Sequence, residues 1–231
     1  MIFDLELILD SIPQMLMGLG LTLQLLFLSL ALGTALAIIL LLMRISGRWV
    51  LAAPAMAYIY IFRGTPILVQ IFIIYYGLPQ LELVRESILW PILREPFGCA
   101  IVALSLNTGA YVSEIFRGGV LGVDRGLKEA ASALGLSARQ RFIYITAPIA
   151  IRLSLPAYSN DVVSLMKSTA LASTITLLDM TGIARTIVAE TYAPYEVFLS
   201  LMVIYLVLTW MIQRSFGWIE KRMSRHVRSE I

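Results

Sequence analysis

The sequence predicts an all-α, polytopic membrane protein with five transmembrane helices in a single membrane domain, residues 1–231. Three observations carry this. The chain is 59% hydrophobic and only 14% charged, and its mean hydropathy is +0.84. Soluble domains sit near half apolar and about a quarter charged. Charge is also missing in long blocks: 11–43, 49–62, 64–81, 97–113 and 197–213 hold no Asp, Glu, Lys or Arg. Finally, a hydrocarbon core of about 30 Å takes about 20 apolar helical residues, a length these blocks meet or approach.

The first span lies within 18–43, rich in Leu and Ala, and stops at Arg44. The next apolar region, 50–76, is too long for one straight span and is interrupted by Arg63, Gly64, Thr65 and Pro66. Pro66 removes a helical hydrogen bond and turns Thr65 away from helical angles. An interfacial helix over 50–62 followed by a span over 66–77 is therefore expected. The segment 79–96 carries Glu82, Arg85, Glu86, Arg94 and Glu95 and reads as an external loop or short helix. A third span covers 97–116 and a polar stretch 117–141. The fourth runs over 148–178 with Pro156 inside it, and the fifth over 195–216, ending in a basic tail.

Five spans place the termini on opposite sides, and basic residues choose which. With the N-terminus outside, the cytoplasmic segments collect thirteen: Arg44, Arg48, Arg117, Arg125, Lys128, Arg139, Arg141, Arg152, Arg214, Lys221, Arg222, Arg225 and Arg228. Only three, Arg85, Arg94 and Arg185, remain outside. The N-terminus is thus expected outside, with the C-terminus and the loop 122–147 in the cytoplasm. Asp4, Glu6 and Asp10 stand where a signal peptide carries Lys or Arg, so the first apolar segment is expected to be retained.

Several chemistries drop out. Cys99 is the only cysteine and His226 the only histidine, so disulfides, His triads and metal sites are not expected. There is no phosphate-loop motif, because no lysine follows a glycine. ATP hydrolysis, an enzymatic role and a resident cofactor are accordingly not expected of this chain. The net charge of +3 is read as cytoplasmic loops beside membrane lipid, not as nucleic-acid binding.

Polar residues inside the spans are the candidate sites, because such groups are costly in hydrocarbon. Asn107, Ala110, Tyr111, Glu114, Arg117 and Gly118 recur at three- and four-residue spacing and share one face. Glu114 and Arg117 are placed to pair. That face fits either a helix–helix seam or a pathway lining. On the fourth span Asn160, Ser164 and Lys167 align, with Asp161 and Ser168 on an adjoining strip. Asp161 and Lys167 are about 9 Å apart in helical rise, too far and too divergent for a direct pair. A water-filled or ligand-lined face and mere packing both remain open. Arg63 marks either the turn of an interfacial helix into the membrane or a polar site.

Within the loop, Gly126, Glu129, Ala130, Ala131 and Gly135 form a helical surface of little side-chain bulk that another protein could approach. Glu129-Ala130-Ala131, then Gly135, then Ile145-Thr146-Ala147-Pro148 resembles the EAA signature of ABC importer permeases, E-A-A-x3-G-x9-I-x-L-P. Ala147 stands where that family usually has Leu. The stretches beginning Phe62-Arg63-Gly64-Thr65-Pro66, Tyr75-Tyr76-Gly77 and Leu106-Asn107-Thr108-Gly109, and that from Leu155 to Ser173, resemble the permeases of polar amino-acid importers. The histidine, arginine, lysine and opine subgroup is the most similar, although Leu127 and Ile149 replace a frequent Gln. The resemblance covers 18–220.

It implies a type I ABC importer permease fold, with a transmembrane region of about 18–216 and the loop 122–147 coupling to an ATPase. The implied partners are a second homologous permease subunit (or self), two ATP-binding subunits and an external solute-binding protein in a bacterial inner membrane. Asn107, Glu114, Asn160, Asp161, Ser164 and Lys167 are the candidate pathway. The alternative function, an ion-coupled secondary transporter or channel subunit, would show inverted repeats, which this hydropathy does not.

Overall fold

The computed structural model describes residues 5–223, and within them the chain is helical with no strand. Asp4, Arg225, His226 and Arg228 of the sequence argument lie outside the described residues. The first helix, α1 (Leu5–Met17), turns directly into α2 (Leu19–Ile45) at Gly18. At 1.5 Å per residue α2 is about 40 Å long, more than enough to cross. The sequence did not single out α1. It buries Met15 against Met180, Ala184, Ile187, Val197 and Leu201, so its helicity is secured by packing from distant parts of the chain.

The second apolar region is bent where expected. Helix α3 (Trp49–Gly64) ends as Thr65 and Pro66 become extended. The chain then enters α4 (Ile67–Phe72), a π-type turn (Ile73–Gly77) and a 3-10 turn (Leu78–Gln80), inclined at 105° to α3. The limb from Ile67 to Gln80 reaches about 21 Å. That is too short to cross alone, so the span expected over 66–77 is corrected to one limb of a bent element. Short helices α5 (Glu82–Arg85) and α6 (Trp90–Leu93) fill the connecting segment.

Helix α7 (Pro96–Leu121) passes through the middle of the bundle and outruns the span expected to end at 116, carrying Arg117 within it. Two glycines set its approach to α2: a Cβ on Gly33 would lie 2.7 Å from the Thr108 side chain, and one on Gly109 would lie 2.8 Å from Leu36. Small residues that let backbones approach are how helices pack in lipid, where burial gives little drive. Helices α8 (Arg125–Ala133) and α9 (Ala138–Arg141) form the long loop, followed by a π-type turn (Phe142–Thr146).

Helix α10 (Ala147–Ser168) stops ten residues before the expected end of the fourth span at 178. Thr169 Oγ1 donates to the Met166 carbonyl at 2.6 Å and Thr174 Oγ1 to that of Leu171 at 2.6 Å. These hydroxyls take up carbonyls of the i−3 type, and the segment Thr169–Ile175 tightens into a 3-10 helix. Thr176 then turns left-handed (φ 70°). Helix α11 (Met180–Thr191) follows, capped by the Asp179 carboxylate, which accepts from Gly182 N at 3.0 Å and Thr181 N at 3.3 Å. Helix α12 (Pro194–Met223) closes the chain. Among the described residues α2, α7 and α12 are long and apolar enough to cross a membrane, and the number reaches five when each of the two bent pairs is counted as one span. The principal core joins Leu25 and Leu26, Ile71, Cys99 to Leu104, and Val162 to Met166.

Candidate functional site

The break after α3 would strand the carbonyls of its last turn, and an unsatisfied backbone group in a bilayer costs several kcal/mol. Two amides answer for it. Gln70 Nε2 donates to the carbonyls of Phe62 (2.9 Å) and Thr65 (3.1 Å) and to Thr65 Oγ1 (2.9 Å). Asn107 Nδ2 donates to Gln70 Oε1 at 3.1 Å and to Phe62 O at 3.3 Å. Asn107 therefore braces the joint. Gln70 was not singled out by the sequence reading. Its signal is that it is the only polar side chain between Pro66 and Ile74.

Beside this joint is a cavity of about 240 Å³. The α3–α4 turn supplies Thr65, Pro66 and Ile67; α7 supplies Asn107, Thr108 and Tyr111; α10 supplies Asp161, Ser164, Leu165 and Ser168. Asp161, Ser164 and Ser168 recur at i, i+3 and i+7 and so present one face. Among the described residues the Asp161 carboxylate has no hydrogen bond and no ion pair. The cation whose field reaches it is Arg63.

The other candidates separate. Asn160 is exposed and does not line this cavity. Lys167 lines a different one of about 470 Å³, with Met202, Tyr205, Leu206 and Thr209 of α12. Glu114 lies in a third, of about 560 Å³, with Arg44, Met56, Ile59, Tyr60, Arg63, Gly64 and Tyr111. Its carboxylate is held by Arg117 Nη2 at 2.7 Å and Nε at 2.9 Å, and by Arg44 Nε at 3.4 Å. Arg44, seventy positions away, has no local sequence signal as its partner. Arg63 sits with its guanidinium carbon 5.1 Å from the centre of the Tyr111 ring, and Tyr111 Oη donates to the Arg63 carbonyl at 3.5 Å.

The loop is built as a stiff unit. Asp124 caps α8 by accepting from Leu127 N at 3.3 Å. At its other end Gly135 N donates to Ser132 O at 3.0 Å and Leu136 N to Ala131 O at 3.1 Å, with Gly135 at φ +79°. This pair of bonds is the Schellman motif, which needs a left-handed residue at the glycine position. Ser137 and Gln140 form a capping box for α9. Arg141 Nη1 donates to Ser132 Oγ at 2.8 Å and Leu136 O at 3.0 Å, tying α9 to α8. Lys128 Nζ donates to Val120 O at 3.3 Å and ties α8 to α7. Gly126, Glu129 and Ala130 face outward while Ala131 is buried. Leu134 (82% exposed) and Tyr144 (69%) are exposed apolar groups of the same loop.

Residues 31–225 match the family described as binding-protein-dependent transport system inner membrane component. The chain belongs to this family. It is 53% identical over 190 residues to the octopine transport system permease protein OccM of Rhizobium meliloti, covering 80% of this chain and 78% of that one. It is 45% identical over 229 residues to the nopaline transport system permease protein NocM of Agrobacterium fabrum, covering 99% and 95%. Among solved structures, an amino acid ABC transporter with histidines superposes with a TM-score of 0.85 at 33% identity, over 96% of this chain and 100% of that one. The protein is thus a multi-pass inner-membrane permease subunit of an ATP-driven importer. It has the ABC importer permease fold and works with other components of such a system. Translocation is its part, and ATP hydrolysis belongs to separate subunits.

Proposed function

We propose that this permease carries a cationic amino acid, or an opine bearing a guanidinium, past Asp161 by alternating access. The observation that carries the reading is the Asp161 carboxylate, which lies without hydrogen bond or ion pair in a cavity walled by Ser164, Ser168, Thr65 and Asn107. A desolvated carboxylate is costly, and a passing cation offsets the cost through a charge-assisted hydrogen bond. The hydroxyls and the amide edge are suited to the polar backbone groups of the cargo. The names of the relatives agree: two concern opines and one an amino acid transporter with histidines. Asn160 and Lys167 belong to the same helix and flank the pathway without lining this cavity, and Glu114 lines the adjoining one.

The remaining assembly follows the same reading. The N-terminus is outside and the C-terminus cytoplasmic. The permease pairs with a second permease or a copy of itself, the pair works with two ATPases, this chain docking on one through Gly126 to Gly135, and cargo arrives from an external binding protein. The stiff α8–α9 unit is suited to transmit ATPase closure to α7, to which Lys128 ties it, and through the turn Phe142–Thr146 to α10.

The test is Asp161→Asn in the reconstituted importer. Arginine uptake is expected to fall roughly tenfold to a hundredfold, as expected for loss of a charged hydrogen bond, while the complex still assembles. Unchanged uptake removes Asp161 from the site. Failure to assemble indicates instead that Asp161 pairs with a cation of a neighbouring subunit.

A further inference from the structure

Tyr111 is a wall shared by two cavities of opposite character. On one side is the cavity of Asp161. On the other, Arg44 and Arg63 face a single carboxylate, Glu114, whose charge is already engaged by Arg117 and Arg44. Arg63 is what remains. Among the described residues its guanidinium has no ion pair and no hydrogen bond; it lies against the face of Tyr111, 5.1 Å from the ring centre, and its field reaches the Asp161 carboxylate. A ring face attracts a cation but leaves the planar N–H edge free, and that edge matches a carboxylate.

We propose that Arg63, held on Tyr111, binds the carboxylate end of the cargo while Asp161 binds its cationic end, so that the Arg63–Tyr111 partition selects zwitterions over simple cations. The proposal rests on the reading of Asp161 above and adds its opposite pole. An amino acid with a cationic side chain carries three charges, an ammonium and a carboxylate on its α-carbon and a cation at the far end of its side chain, and an opine carries more than one carboxylate. One anionic pole alone would accept any organic cation. The cationic pole on the far side of the partition supplies the missing discrimination, because a ligand without a carboxylate forgoes the charged hydrogen bond that Arg63 offers. Gly64 leaves the approach to Arg63 open, since a Cβ there would meet nothing within 4 Å.

The experiment compares arginine with agmatine, which keeps the guanidinium and lacks the carboxylate. Binding of each is measured to the purified, fully assembled importer without its external binding protein, for wild type, Arg63→Gln, Arg63→Lys and Asp161→Asn. Arg63→Gln is expected to weaken arginine by roughly tenfold to a hundredfold and to leave agmatine unchanged, the range given by one charged hydrogen bond. Arg63→Lys keeps the charge and is expected to keep a preference for arginine. It carries the test if the Gln variant does not assemble, and loss of that preference in a folded Lys variant overturns the proposal. Asp161→Asn weakens both ligands. If it weakens both while Arg63→Gln alters arginine and agmatine equally, or neither, Arg63 is not the carboxylate pole and the Asp161 site stands. If Asp161→Asn changes neither ligand, the underlying site reading fails, and a selective effect at Arg63 would then have to be explained without it.

Discussion

Gly135 separates two explanations of the same motif. If the glycine is needed because bulk there obstructs an ATPase, the damage should follow side-chain volume. The structure points to the backbone instead. A Cβ on Gly135 would meet nothing within 4 Å, while its φ of +79° lies where L-residues are disfavoured. A left-handed conformation costs a non-glycine residue roughly 1–2 kcal/mol, with Asn tolerated better and β-branched residues worse. The alternative is to give up the bonds Gly135 N–Ser132 O and Leu136 N–Ala131 O, which opens the turn to which Arg141 is tied. A penalty of 1–2 kcal/mol changes the ordered fraction of the turn by a factor of about 5–30.

Asn and Val are similar in size but differ in left-handed preference, so they form the informative pair. ATPase stimulation in proteoliposomes should fall in the order Gly, Asn, Ala, Val. Hydrogen exchange of the amides of residues 135 and 136 should quicken in the same order. If Asn is as damaging as Val, or Ala is harmless, the backbone argument is refuted and volume at the docking surface decides.

Two further outcomes test the rest of the framework. Gln70→Leu should remove the bonds to the Phe62 and Thr65 carbonyls and to the Asn107 amide, leaving Phe62 O and Asn107 Nδ2 with only each other. At about 1 kcal/mol for each lost bond, the melting temperature of the complex should drop by roughly 5–10 °C, and no change would remove the amide brace from the account of the joint. For sidedness, an impermeant thiol reagent on intact cells should label Glu6→Cys and spare Arg222→Cys. Cys99 is fully buried and supplies little background, and the reverse labelling would invert the topology.

The long helices were legible because hydropathy and the loss of charge are local: α2, α7 and α12 can be drawn from their composition alone. The bend after α3 was legible for the same kind of reason, since Pro66 acts on its immediate neighbour. The short helices were not. Helix α1 contains Pro13, and α11 is only 12 residues long, a length marginal in isolation. What secures both is the cluster of Met15, Met180, Ala184 and Val197, contributed by α1, α11 and α12. The end of α10 was misplaced because the apolar run continues past Ser168, while hydroxyl groups tighten the backbone without changing its hydropathy.

The site divides along a similar line. Spacing on one helix places Asn107 with Tyr111, and Asp161 with Ser168, because the α-helical repeat fixes them. Spacing says nothing about which polar groups have partners elsewhere, and in a membrane that is the question separating support from function. Asn107 and Glu114 look equivalent in sequence to Asp161, yet the first is engaged by Phe62 and Gln70 and the second by two arginines. Their cost in hydrocarbon is met within the chain. Asp161, Lys167 and Arg63 have no ion pair or side-chain hydrogen bond among the described residues, Arg63 meeting only the Tyr111 ring and the distant field of Asp161. An unanswered charge persists in a membrane protein only if water, another subunit or a ligand answers it. That leaves three groups of known sign to be matched against the charges of the cargo, and the arginine–agmatine comparison removes one of those charges while keeping the others.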